Sequence, residues 1–213
     1  MLILNKHISI VDQYLAELRD INVQKDRKRF ESNIERIGMV AGYELSKQLT
    51  YQKQVTQTPL AAAETQILKD RLVISTILRA GLPLQRGIAS VFNDAELAFM
   101  AAGRKPETEH GVEIDLSYVA TPDLTNKVLV IADTMLATGH SIIDAYQALL
   151  AHGKPSRVII ISVIASQPGV DYVEKHIPKV EIITAAVDPE LNDKFFIVPG
   201  LGDAGDLLYG PKT

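Results

Sequence analysis

At 213 residues, 46% hydrophobic and 23% charged, the chain has the composition of an ordinary globular domain, and it holds no apolar run near the roughly 18 residues that a membrane-spanning helix needs. A formal net charge of −4 argues against a nucleic-acid surface while leaving room for a local basic patch, and zero cysteines exclude disulfides and thiolate metal sites. Lys6 and His7 precede an apolar stretch that breaks at Asp12 and Gln13, so no signal-peptide core or membrane contact is expected and a cytoplasmic location is.

Residues 11–49 are helical in pattern, with Leu15, Leu18, Ile34, Ile37, Val40, Ala41 and Leu45 spaced by threes and fours around a polar, basic interruption at 20–29. After Pro59 a further helix is expected over 60–69. Residues 72–78 form an apolar, β-branched strand, followed by Arg79-Ala80-Gly81, a helix over 83–92 and a strand over 95–100. Residues 104–111 are polar and carry Pro106 and Gly111, whereas Val112, Ile114, Leu116 and Tyr118 alternate as in a half-exposed strand, which predicts a flexible β-arm. The rhythm resumes with a strand over 127–132, a helix over 140–151 closed by Gly153, a strand over 157–165, a short helix over 169–176 and a strand over 180–186. From Phe195 the chain reads Phe-Phe-Ile-Val-Pro-Gly-Leu-Gly-Asp-Ala-Gly-Asp, a tight loop that presents backbone groups and carboxylates.

Strands alternating with helices imply parallel crossovers, hence an α/β fold with a doubly wound, mostly parallel sheet flanked by helices. No Gly/Ser/Pro-rich linker divides the chain, so one domain over 1–213 is expected, with an N-terminal helical segment to about residue 58, a core over about 59–190 and the C-terminal loop over about 195–206.

The most informative stretch is the join between the strand at 127–132 and the helix that follows, Ala132-Asp133-Thr134-Met135-Leu136-Ala137-Thr138-Gly139-His140-Ser141. In open α/β sheets ligands bind at this carboxyl edge, where the first N–H groups of the helix lack intrahelical partners and carry partial positive charge. Gly139 permits close backbone approach, and the hydroxyls of Thr138 and Ser141 can donate to phosphate oxygens. Asp133 beside an anion makes sense if it accepts from ribose hydroxyls or approaches the phosphate through hydrated Mg²⁺. The five histidines show no metal-ligand spacing.

Three segments together resemble the uracil phosphoribosyltransferases: Ile77-Leu78-Arg79-Ala80-Gly81-Leu82, Asp133 through Ser141, and Ile197-Val198-Pro199-Gly200-Leu201-Gly202-Asp203-Ala204-Gly205-Asp206. The strings Leu18-Arg19-Asp20 and Thr58-Pro59-Leu60 match as well, so the resemblance extends over nearly the whole chain. It implies a pentosyltransferase that moves 5-phosphoribosyl from phosphoribosyl diphosphate (PRPP) to N1 of uracil, making UMP for pyrimidine salvage, with Mg²⁺ held mainly by diphosphate and water. By the same resemblance the PRPP-binding positions are Arg79, Arg104, Asp133, Thr134, Met135, Leu136, Ala137, Thr138, Gly139, His140, Ser141 and Asp203. Ile197, Gly202, Asp203 and Ala204 match the uracil contacts; Arg79, Asp133 and Asp203 are the catalytic candidates. A homodimer or higher homo-oligomer and a GTP effector are further family implications.

Several positions depart from the family pattern. Thr134 stands where proline is usual, His140 where glycine is usual, Leu207 where arginine usually follows the last acid, and Lys105-Pro106-Glu107-Thr108 replace a more acidic run after Arg104. His140 either marks a backbone without positive φ or adds a donor beside the 5-phosphate. Two other functions stand beside the leading one: a catalytically degenerate fold that binds UMP or PRPP as a regulator, and a transferase for another nucleobase. The intact Arg79, Asp133, Thr138 and Gly139 speak against the first, and the C-terminal string against the second.

Overall fold

The computed structural model describes residues 1–104 and 114–211, with the side chains of 102–104 and 114–117 outside that description. Its elements in chain order are β1 (Leu2–Ile3), α1 (Ile10–Arg19), α2 (Arg27–Ser46), β2 (Tyr51–Gln57), β3 (Ala62–Leu68), β4 (Leu72–Leu78), α3 (Leu82–Ala89), β5 (Glu96–Arg104), β6 (Ile114–Ala120), β7 (Val128–Leu136), α4 (His140–Leu150), β8 (Arg157–Ser166), α5 (Gln167–His176), β9 (Glu181–Asp188), β10 (Glu190–Leu191), β11 (Ile197–Val198) and α6 (Ala204–Tyr209).

Seven strands form the main sheet in the order β1-β9-β8-β7-β4-β5-β6, all neighbours parallel except β5 and β6. This is the α/β architecture expected. Side chains alternate between two apolar layers: Val128, Val130 and Ala132 of β7 face the core under α1, α2 and α3, while Leu129 and Ile131 face the core under α4 and α5. Both faces of the central strands are therefore dry, which is why they read as unbroken apolar runs.

The chain leaves β4 for β5 on one side and returns to place β7 on the other. The crevice at the carboxyl ends of β4 and β7 is thus the topological switch point, where α/β sheets bind ligands. Arg79 follows β4, and Asp133 lies within β7, whose last residues continue pairing with β8 through Leu136. The strand expected to stop at 132 thus runs four residues further, carrying part of the phosphate motif on the sheet itself.

The helix expected over 60–69 is a strand. β2 and β3 form an antiparallel hairpin in register from Tyr51 with Leu68 to Gln57 with Ala62. Its turn is closed by Thr58, whose N–H donates to the Ala61 carbonyl at 2.9 Å and whose hydroxyl receives the N–H groups of Leu60 and Ala61. Helix-favouring alanines lose to this turn and to cross-strand pairs such as Thr56 with Thr65 at 2.7 Å. The N-terminal helices end at Ser46, and residues 51–57, grouped with them in the sequence reading, belong to the hairpin. The polar segment 105–113 lies outside the described residues; β5 and β6 flank it as the antiparallel pair of the arm.

Candidate active site

A cleft of about 340 Å³ opens at the switch point, lined by Ile77, Leu78, Arg79, Ala80, Asp133, Asp203, Gly205 and Asp206. Three stretches far apart in sequence meet here, and with them the three catalytic candidates. Arg79 comes from the loop after β4, Asp133 from β7, and Asp203 from the start of α6. The Leu78–Arg79 and Val198–Pro199 peptide bonds are cis.

The Arg79 guanidinium leans toward the C-terminal segment: Nη2 lies 3.9 Å from Asp206 Oδ1, donates to the Gly210 carbonyl at 3.4 Å, and the group sits 5.6 Å from the Tyr209 ring centre. Both side chains of the ion pair are roughly two-fifths exposed, so the contact is weak and an anionic ligand can compete for the cation. Asp133 is different. Burial pushes its carboxyl up to about 6, against backbone N–H groups of Thr134 and Met135 that pull the other way. A carboxylate so placed is an acceptor for sugar hydroxyls or a charge awaiting a cation. Among the described residues no group of three His, Asp or Glu side chains is arranged to hold a metal.

Downstream of Asp133 the motif side chains divide. Thr134 is fully buried and its hydroxyl donates to the Ala80 carbonyl at 2.6 Å, tying the β7 edge to the loop that carries Arg79. Met135 and Leu136 pack into the two cores. What these three residues can offer a ligand is backbone, whereas Thr138 and Ser141 remain half-buried at the loop surface. Gly139 is the N-cap of α4 with φ +84° and no side-chain cap; the His140 N–H makes a long 3.5 Å bond to Thr138 Oγ1, and the amides that follow it in the first turn have no intrahelical partner. The positive φ falls on Gly139, and His140 is the first helical residue; its backbone needs no glycine. The exposed His140 ring stacks on Tyr172 of α5 with centroids 4.4 Å apart.

α5 supports this loop from behind. Ser166 caps α5 by accepting the Gly169 N–H at 2.9 Å and donates its own hydroxyl to the Ala137 carbonyl at 2.6 Å. Gly169 is required by the close approach: a Cβ there would lie 2.2 Å from the Ala137 carbonyl oxygen. The sequence marks the helix that begins at Gly169, with a serine before Gln-Pro-Gly as its start, but not the contacts of Ser166 and Gly169 with Ala137.

At the C-terminal loop, Asp203 is the N-cap of α6, accepting the Asp206 N–H at 3.1 Å, so the last three residues of the expected loop open a short helix. Ile197 and Ala204 are buried with their side chains in the core. Neither they nor the exposed Gly202 line the cleft, and what these three positions have to offer a ligand is backbone. Asp206 and Gly205 line the cleft although they carried no assigned contact. Arg104 ends β5, and its side chain lies outside the described residues.

The pattern of the uracil phosphoribosyltransferase family matches residues 6–211. The chain belongs to that family. It is 47% identical over 205 residues to a uracil phosphoribosyltransferase of Porphyromonas gingivalis, covering 96% of this chain and 95% of the relative. It is 37% identical over 202 residues to one from Pyrococcus furiosus, covering 93% and 85%. Among solved structures, the AQ2163 protein of Aquifex aeolicus superposes with a TM-score of 0.86 at 30% identity, covering 96% of each chain.

Proposed function

We propose that this protein transfers the 5-phosphoribosyl group of PRPP to N1 of uracil, releasing diphosphate and forming UMP, as a pyrimidine-salvage enzyme. The observation that carries the reading is the convergence of Arg79, Asp133 and Asp203 on one cleft at the switch point of the sheet.

The bond from ribose C1 to diphosphate breaks, its electron pair leaving with the diphosphate, as the bond from C1 to uracil N1 forms, and the N1 proton passes to water or to the released diphosphate. Positive charge builds on the sugar and negative charge on the leaving group. Arg79 meets the diphosphate, where its planar fork stabilises that developing charge, and Arg104 is the second cation that the family resemblance assigns to it. The 5-phosphate sits on the amides at the start of α4, with Thr138 and Ser141 as hydroxyl donors and His140 as a further donor held by Tyr172. Asp133 accepts from the ribose hydroxyls. Mg²⁺, carried by the diphosphate, supplies neutralisation of leaving-group charge when bound.

Uracil offers two carbonyl oxygens and an N–H along one edge, which backbone groups near Ile197, Gly202, Asp203 and Ala204 can read. A backbone site paired to that edge would leave groups unpaired against cytosine, which commonly gives strong rejection. Incubation with PRPP, Mg²⁺ and each nucleobase in turn tests the reading. UMP from uracil alone is the expected product; nucleotide from another base, or none from any, would overturn it.

A homo-oligomer belongs to the same proposal, supported by exposed Met39 and Tyr43 on α2 and Val55 on the hairpin. GTP as an effector rests on family resemblance alone. A cytoplasmic location agrees with a chain that has no cysteine to oxidise. Among the described residues no helix is long and apolar enough to cross a membrane.

A further inference from the structure

The base-reading loop at 197–206 is held from outside the cleft by a cluster that plays no part in the chemistry above. Arg19, the last residue of α1, and Asp188, the last residue of β9, form a two-pronged ion pair: Nη2 to Oδ1 at 2.8 Å and Nη1 to Oδ2 at 2.8 Å. Asp188 is almost completely buried, with only 7% of its side chain exposed.

Each member of the pair also grips Gly200. Asp188 Oδ2 accepts the Gly200 N–H at 2.9 Å, and Arg19 Nη1 donates to the Gly200 carbonyl at 2.9 Å. Gly200 has φ +60°, and a Cβ there would meet the Ile197 carbonyl oxygen at 2.0 Å, so no other residue fits this conformation. One residue further on, Gln24 Nε2 donates to the Leu201 carbonyl at 3.2 Å and to the Leu18 carbonyl at 2.9 Å.

We infer that Arg19 and Asp188, assisted by Gln24, are positioning residues that fix the backbone of the uracil-reading loop and so set the affinity for the base. The inference deepens the uracil reading and rests on it. A loop that reads a planar ring through its own N–H and C=O groups selects only as well as those groups are oriented. Holding both polar groups of Gly200 orients the peptides on either side of it. The adjacent residues are Pro199, which has no N–H to hold, and Leu201, whose carbonyl is held by Gln24. The positions read as uracil contacts, Ile197 and Gly202 through Ala204, flank this anchor on both sides. The phosphate loop does not share it, because that loop is braced by Ser166 and Gly169 instead.

Lysine cannot replace Arg19 in this task. A single ammonium lacks the planar fork that spans both carboxylate oxygens while still reaching a carbonyl.

The test is steady-state kinetics of the full-length protein with Arg19→Gln, Arg19→Lys and Gln24→Leu, each read alongside hydrogen exchange of the backbone amides. Arg19→Gln should raise KM for uracil roughly tenfold or more, as expected when charge-assisted hydrogen bonds that hold a loop are lost, and leave KM for PRPP within about twofold. Arg19→Lys should recover only part of that affinity, and Gln24→Leu should give a smaller shift of the same kind. Exchange should accelerate at the amides of 197–206 and stay unchanged at 133–141. A merely structural role predicts a smaller active fraction with both KM values unmoved. That result, an equal rise in both KM values, or unchanged exchange at 197–206 would overturn the inference. If Arg19→Gln does not fold, Arg19→Lys and Gln24→Leu decide by the same readouts. Should the wild-type protein make no UMP, the uracil reading fails, and the exchange pattern then judges the tether alone.

Discussion

The two halves of the proposed site are built in opposite ways. The half proposed to hold phosphate is local: nine consecutive residues, Asp133 through Ser141, run from a central strand into the helix that follows, and the groups they offer are backbone amides fixed by that geometry. The half proposed to read the base is assembled at long range, since the loop after β11 is bonded to Arg19 and Gln24 near the other end of the chain and to Asp188 at the end of β9. A site of the first kind can be recognised from a short string of residues. A site of the second kind depends on contacts that no string contains.

The largest break in this comparison comes from the group that serves neither half alone. Arg79→Ala should lower kcat by roughly 10² to 10³-fold, the usual loss when a donor to developing charge is removed. Near-full activity would show that the guanidinium beside Asp206 does not reach the diphosphate. Next come the braces of the phosphate half. Gly169→Ala drives a methyl against the Ala137 carbonyl, and Ser166→Ala removes the hydrogen bond to the same oxygen. Both should raise KM for PRPP, the first by more than about tenfold and the second by several-fold, with KM for uracil little changed. If uracil affinity fell equally, the two halves would not be separately built.

Asp133 bears on stability as well as on binding. Its carboxyl is held near 6 in the folded protein, against an ordinary value of 3.8, so the folded state binds that proton more tightly than the unfolded chain does. From this group stability is therefore greatest at low pH, declines as pH rises from about 4 to 6, and is level above that. Asp133→Asn should remove that slope and leave the ligand-free protein about 1–2 kcal/mol more stable than wild type at pH 8, a figure reduced for the carboxyl's partial access to the cleft. Denaturant unfolding at pH 4 and pH 8 measures it, and equal differences at the two pH values would refute the account. The smallest effect is expected at His140, where His140→Ala should raise KM for PRPP by only about threefold, because backbone amides carry most of the phosphate contact.

Legibility in the sequence followed the same division. β4 and β8 emerged with nearly their observed ends because both faces of each are buried and the apolar run stops where burial stops. Neither strand of the hairpin β2–β3 is legible: residues 51–57 carry no apolar alternation, and Ala61-Ala62-Ala63-Glu64 favours a helix that only the Thr58 turn and the pairing with β2 make extended. α6 stayed hidden because six residues with a glycine near the start give too little periodicity, and its cap, Asp203, had already been read as a ligand contact. Thr134 was legible as a departure from the family pattern, but its bond to Ala80 depends on a loop 54 residues away. Arg19 was visible within a matching string, yet its task appears only when β9 and the C-terminal loop are brought together.

A crystal structure of the protein with UMP decides between these outcomes in one measurement. The phosphate is expected on the amides of 138–141 at the start of α4, the ribose hydroxyls at Asp133, and the uracil edge against the backbone of 202–204. UMP bound with its phosphate away from α4, or with its base outside the C-terminal loop, would contradict this placement.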